Sequence, residues 1–179
     1  MNDRWFLNAV TMVAAEEKQF NILTCNGIKA AQDARKQHQL FVFRFFKQGK
    51  PVFVIVDNMI PTYELVDGTP RPFFARCGNP LLFWVQLVEK AYAKLHGRYY
   101  ALHGGSTDEA LEDLLGVVVE NCFIDDGTTM TDKTSLFNTL RTLTFNHAIV
   151  GCKLDLEMFT WMEASAKKKH YAKAIALGI

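Results

Sequence analysis

Thiols and imidazoles are the side chains of this sequence best suited to chemistry. Cys25, Cys77, Cys122 and Cys152 stand far apart among 179 residues, with His38, His96, His103, His147 and His170 scattered between them. A thiol becomes a nucleophile when it ionises, which a helix N-terminus and an adjacent imidazole bring about. Cys25 follows the first helical stretch, Cys77 lies in a segment rich in proline and glycine, and Cys122 and Cys152 lie in apolar, strand-like runs. None combines a helix start with a neighbouring histidine. No C-x-x-C pair occurs, which argues against a zinc ribbon or a disulfide framework; the cysteines read as reduced thiols of a cytoplasmic protein, mostly packed as small hydrophobes. Asp125, Asp126, Asp132 and Asp155 are the acids that could gather a cation, but their spacing is not that of an EF-hand loop, and they read as surface turn residues.

The elements that must position these groups are legible from periodicity. Trp5 to Lys18 predicts a helix with Phe6, Ala9, Val10 and Val13 on one face, and Asp3 stands where it can cap the start. Gln39 to Lys47 and Pro51 to Asp57, separated by Gln48-Gly49-Lys50, predict a hairpin with apolar residues on both faces. Pro61 to Pro80 reads as a loop. Phe83 to Leu95 predicts a second helix, with Trp84, Leu87, Ala91 and Tyr92 facing the core and Gly97 ending it. Gly104-Gly105 breaks the chain, and Ser106 with Glu109 predicts a capping box opening a further helix. Beyond it, Val117 to Ile124 and Ala148 to Leu154 read as strands and Ser135 to Thr144 as a helix. Met158 to Ala166 is ambiguous, and Tyr171 to Leu177 reads as a strand or an Ala-rich helix. The division falls near Gly104-Gly105, giving a first lobe over 1–104 and a more strand-rich part over 105–179. Periodicity alone reaches only a mixed α and β domain.

Bulk composition narrows the partners. Half of the residues are apolar, enough for a buried core, and 20 Lys plus Arg against 19 Asp plus Glu leave a net charge of +1. That balance carries no footprint for nucleic acid or an anionic membrane surface. Lys167-Lys168-Lys169 reads as a solvated helix end or turn. No run approaches the about 18 apolar residues of a membrane span, and the start has no basic-then-apolar leader pattern.

One long run goes further than periodicity. Phe83-Trp84-Val85-Gln86-Leu87-Val88-Glu89-Lys90-Ala91-Tyr92-Ala93-Lys94, with Gly97, resembles the calpain-family run F-W-x-x-L-x-E-K-A-Y-A-K-x-x-G. It continues in register through Tyr99 to Thr107, like Y-x-A-L-x-G-G-x-T, and on to Glu112-Asp113 and Gly116. Val54 to Pro61 is similar to V-x-V-D-D-x-L-P. Asp3-Arg4-Trp5-Phe6-Leu7-Asn8-Ala9 is similar to G-D-C-W-F-L-A-A, the nucleophile segment. The likeness thins beyond Gly116, where Ala148 to Cys152 looks like the L-L-G-C strand and Lys169-His170-Tyr171-Ala172 is a loose match to G-H-A-Y, which carries the catalytic histidine.

The resemblance implies a papain-like α+β protease core, a helix-rich first lobe with part of a strand-rich second, whose chemistry needs a helix-terminal thiolate, an imidazole held by an Asn, and donors for the oxyanion. Arg4 stands at the position of the cysteine, and a guanidinium offers no nucleophilic lone pair. Its charge also has the wrong sign for a helix N-terminus, so Arg4 is expected to turn to solvent or find a carboxylate such as Asp3. His170 is the candidate for the catalytic imidazole. The oxyanion Gln is expected upstream of the first residue and the N-P-W-G segment past the last. The family's calcium site in the first lobe takes a Glu just before F-W; here that residue is Leu82, so no cofactor or metal is expected. The resulting expectation is a catalytically inactive calpain-like homologue that acts, if at all, through a protein partner or by regulation. Two alternatives stay open: a truncated or variant piece of an active calcium-dependent cysteine endopeptidase, and a structural module of the cytoskeleton or cell cortex.

Overall fold

A computed structural model of the chain describes residues 3–25, 40–79, 83–124, 133–146, 148–153 and 172–177. It divides into two compact units, Met1–Gly116 and Val117–Ile179. The Gly104-Gly105 pair therefore lies inside the first unit, because the helix after it packs on the first helix of the chain.

In the first unit, α1 runs Arg4–Ala15 and α2 Glu17–Leu23. The single helix expected over Trp5 to Lys18 is thus two, broken where Glu16 takes an extended conformation. The hairpin forms as predicted: β1, Leu40–Lys47, pairs antiparallel with β2, Lys50–Asp57. Gln48 and Gly49 both have positive φ, 53° and 73°, the geometry whose twist matches a two-residue hairpin. Phe41, Phe43, Phe45, Val54 and Val56 turn inward and are buried. The expected loop of 61–80 contains a small antiparallel ribbon, β3 (Thr62–Glu64) with β4 (Pro70–Pro72). Its prolines are tolerated because a two-stranded ribbon has only edges. Helix α3 spans Trp84–Leu95 and α4 Thr107–Leu115, with a 3-10 turn at Tyr99–Leu102 between them.

Capping explains where these helices stop and start. After α3, Gly97 adopts φ +92°, a conformation that side chains disfavour. Ser106 does cap α4, but its hydroxyl accepts from the Asp108 amide at 3.2 Å and not from Glu109, so the cap closes one residue earlier than the expected box. Gly116 ends α4 at φ +71°, and a Cβ there would lie 2.5 Å from the Phe46 ring.

The core of this unit joins α1, the hairpin, α3 and α4 through Phe6, Val10, Phe43, Phe45, Leu87, Tyr92, Leu111 and Leu114, all essentially inaccessible to solvent. Leu87, Ala91 and Tyr92 face inward as their spacing predicts. Trp84 does not: it is half-buried and packs edge-on against Phe20 at 4.8 Å, covering the flank of the core.

In the second unit, β5 (Val119–Ile124), β6 (Val150–Lys153) and β7 (Ala172–Leu177) form an antiparallel sheet in the order β5-β7-β6. Of the run from Tyr171 to Leu177, Ala172–Leu177 is therefore a strand and not a helix. Helix α5 is Lys133–Phe145. Met158 to Ala166, and Asp125, Asp126, Asp132 and Asp155, lie outside the described residues. Among the described residues no helix is long and apolar enough to cross a membrane.

Candidate functional site

Long-range contacts of Trp5 and Phe6 fix the start of α1. Trp5 donates its indole N–H to the Leu102 carbonyl at 3.2 Å and sets its ring edge-on to Tyr92 at 6.1 Å. The ring also lies so close to Gly105 that a Cβ there would meet it at 2.5 Å. Phe6 is buried and stacks on Tyr92 at 4.2 Å. Glycine at 105 is thus a packing requirement, and the helix terminus is clamped against the turn that precedes α4. Arg4, the first residue of α1, is exposed and makes no ion pair with any described residue. Of the two outcomes expected for it, solvent prevails over a contact with Asp3.

Asp3 has gone elsewhere. It immediately precedes α1, and its carbonyl accepts from the amides of Phe6 and Leu7 at 3.0 and 3.1 Å, but its side chain makes no capping bond. Instead the carboxyl, largely buried, meets Glu89 of α3, which is 1% exposed. Glu89 Oε2 accepts from the Ala75 amide at 3.0 Å, while Oε1 finds no donor if both acids are ionised. Two buried carboxylates cannot both stay charged at close range, so one proton is shared and turns the orphan oxygen into a donor. Desolvation first, then the hydrogen bond and charge of Asp3, push Glu89 up to about 8, with the Ala75 amide and the amino terminus opposing. Burial likewise raises Tyr99, with further contributions from the charges of Glu89 and Asp57.

That pair sets a pH dependence. Glu89 is raised above its unfolded value, so its favourable contribution is complete below about pH 4.5 and is lost as pH climbs through about 8. Glu89→Gln can keep the bond from Ala75 and donate its amide N–H to an ionised Asp3. The variant is expected to melt at nearly the native temperature at pH 5 and several degrees above it at pH 8.5. Equal shifts in melting temperature at the two pH values would mean that the two carboxyls share no proton.

The other candidates are dispersed. Cys25, two residues past the end of α2, has φ 48° and is exposed, an exception to the expectation that the thiols are mostly packed away; desolvation nonetheless raises its thiol, with Arg44 opposing. Cys77 is half-buried, and Cys122 and Cys152 lie on β5 and β6. His96 is engaged by Asp113, Nε2 to Oδ2 at 3.4 Å, and His103 stacks on Tyr100 at 6.0 Å. His170, His38, His147 and Leu82 lie outside the described residues. Among the described residues no three His, Cys, Asp or Glu side chains converge in a way that could hold a metal ion.

Two constellations are not evident from sequence. One is Asp3 with Glu89; its only signal is a glutamate inside a helix whose residues from Gln86 to Glu89 and from Ala91 to Ala93 are all buried. The other is Asp113, whose Oδ2 accepts from Lys47 Nζ at 2.5 Å and from Tyr92 Oη at 2.9 Å besides facing His96. It joins β1, α3 and α4, and no local pattern announces such a long-range cluster.

Similarity to known proteins agrees with this arrangement. The family model for calpain family cysteine proteases matches residues 1–175. The chain is 35% identical to calpain-A of Drosophila melanogaster over 156 residues, 87% of this chain and 17% of that protein. It is 32% identical to calpain-8 of Mus musculus over 170 residues, 94% of this chain and 22% of that protein. With the calpain-1 catalytic subunit of Bos taurus it shares 31% identity over 169 residues, again 94% and 22%. The chain thus spans about a fifth of the length of the curated relatives it matches. Its mixed helices and small antiparallel sheets are those of a calpain protease core, and the chain belongs to the calpain family of cysteine proteases.

Proposed function

We propose that this chain is a calpain-family domain that does not cleave peptides and that acts by binding or regulation. The observation that carries the reading is Arg4, exposed at the first residue of α1, in the register where the family's G-D-C-W-F-L-A-A run has its cysteine. The surrounding packing supports the register: Trp5, Phe6 and the Gly104-Gly105 turn are all engaged with one another or with Tyr92 as a unit. A guanidinium at this point cannot attack a carbonyl or be deprotonated to do so.

The test is Arg4→Cys. A thiol at the first position of a 12-residue helix lies in the positive end of its dipole, which favours the thiolate. Cys25, by contrast, has its pKa raised by burial. The new thiol is expected to alkylate with iodoacetamide at least about threefold faster than Cys25 at pH 7, read by peptide mass spectrometry. Peptide hydrolysis is not expected to appear with it. Among the described residues His96 is engaged by Asp113 and His103 stacks on Tyr100, and catalytic groups that act as a unit return little when a thiol alone is restored without an imidazole held to it. Labelling slower than at Cys25 would remove position 4 from the helix-terminal role, and hydrolysis near the rate of a working calpain core would refute inactivity by loss of parts.

Calcium obeys the same logic. Leu82 stands where the family uses a Glu just ahead of F-W, and the leucine side chain has no oxygen to give an ion that takes six to eight. Calorimetric titration of the chain is expected to show no site tighter than about 100 µM, and a micromolar site would overturn this.

A further inference from the structure

The hairpin of the first unit leaves one backbone edge unpaired by any strand. Gln48 and Gly49 form its two-residue turn, so Lys47 with Lys50, Phe45 with Val52, Phe43 with Val54 and Phe41 with Val56 are the pairs that exchange hydrogen bonds. The alternate residues of β2, which are Pro51, Phe53, Ile55 and Asp57, therefore point their backbone groups away from β1. Two of these carbonyls are taken by lysines one turn apart on α3. Lys94 Nζ donates to the Ile55 carbonyl at 2.8 Å. Lys90 Nζ donates to the Asp57 carbonyl at 3.4 Å, to its carboxylate at 2.5 Å and to the Met59 carbonyl at 2.6 Å. At the other end of the strand Pro51 has no N–H to offer. The open edge thus narrows to Phe53 and the Ile55 N–H.

The strand behind this edge is one that pairs readily. From Val52 to Val56 it reads Val-Phe-Val-Ile-Val, an uncharged run of the residue types that favour strands and strand addition. Its outer face is uncovered: Phe53 and Ile55 are 61% and 49% exposed, and Leu40, on the same face of β1, is 70% exposed. A second copy of β2 complements it. Antiparallel pairing about a two-fold axis through Val54 sets Phe53 opposite Ile55 of the second copy, and Ile55 opposite Phe53 of the second copy. Both pairs join residues whose backbone groups point outward, and each lays an aromatic ring against a β-branched side chain. The Ile55 carbonyl that Lys94 occupies is the acceptor that the Phe53 N–H of the second copy needs. We infer that Lys94, with Lys90 beside it, locks the β2 edge and holds this chain back from β2-to-β2 pairing with a second copy of itself.

Sedimentation velocity of the intact chain over a concentration series reads the lock. Lys94→Ala is expected to self-associate at least about tenfold more tightly than the native chain, the weight of one charge-assisted hydrogen bond. Lys94→Arg keeps a donor at the edge and should behave as the native chain does. Lys50→Ala removes an exposed lysine at the turn and should also behave as native, which separates the lock from a mere loss of charge. Phe53→Glu added to Lys94→Ala places a carboxylate in the pairing face of each copy and should return association to the native level. Hydrogen exchange read by NMR locates the contact: the Phe53 and Ile55 amides should be protected in associated Lys94→Ala and open in the native chain. Lys94 and Phe53 are exposed, and unchanged circular dichroism will show that the variants are folded. Association of Lys94→Ala no tighter than native, an equal gain in Lys50→Ala, association that survives Phe53→Glu, or amides at 53 and 55 that stay open on association would each overturn the lock.

Discussion

Tyr92→Ala is expected to lower the stability of the first unit by about 4–5 kcal/mol, close to the whole stability of many domains of this size. The Tyr92 ring is fully buried, stacks on Phe6 at 4.2 Å, meets Trp5 edge-on, and packs against Phe45 at 5.6 Å and His96 at 4.4 Å. Truncation opens a cavity where α1, the hairpin and α3 meet. It also removes one of the donors to Asp113, a residue only 7% exposed. Tyr92→Phe separates the two effects: it keeps the ring and should cost about 1–2 kcal/mol, the usual loss when a buried carboxylate is deprived of one hydrogen bond. Urea denaturation at pH 7 measures both. Equal losses for the two variants would mean that the hydroxyl, and not the packed ring, dominates.

The Asp113 cluster gives that measurement a second axis. Burial works against the carboxylate, but the facing His96 imidazole and the hydrogen bonds from Lys47 and Tyr92 outweigh it and hold its pKa below the usual range. A depressed folded pKa contributes stability above the unfolded value of about 4, and that contribution is lost as pH falls through the folded one. Asp113 therefore acts at the acid end and the Asp3–Glu89 pair at the alkaline end.

Sequence reveals these elements only as far as the interactions behind them are local. The hairpin is legible because its turn residues and its inward Phe41, Phe43 and Phe45 are neighbours along the chain. The long run from Phe83 to Gly116 is legible as family resemblance, and α3 and α4 stand where it implies. The β3–β4 ribbon is hidden by prolines that normally argue against strands and are tolerated in a lone ribbon. The break at Glu16 has no Gly or Pro to signal it. Asp3 reads as a helix cap because sequence shows only its position ahead of α1, whereas its partner, Glu89, is supplied by a helix 86 residues away. Of the candidate site, Arg4 is identified in sequence and found exposed at the start of α1, while His170 lies outside the described residues.

Hydrolysis is where the largest effect is expected. Covalent acyl transfer requires the nucleophile to form and release an acyl-enzyme, and a chain without it falls by roughly 10⁵–10⁶ in rate, to whatever binding and backbone donors alone supply. The most direct measurement is turnover by the unaltered chain. Purified protein, in large excess over the amount of a working calpain core that gives a clear signal, is given casein and a fluorogenic peptide, with calcium and with chelator. Release indistinguishable from buffer is expected in every case. Thiol-dependent release that an epoxide inhibitor of papain-like enzymes abolishes would contradict it, and mapping the inhibitor adduct would then name the cysteine that serves in place of position 4.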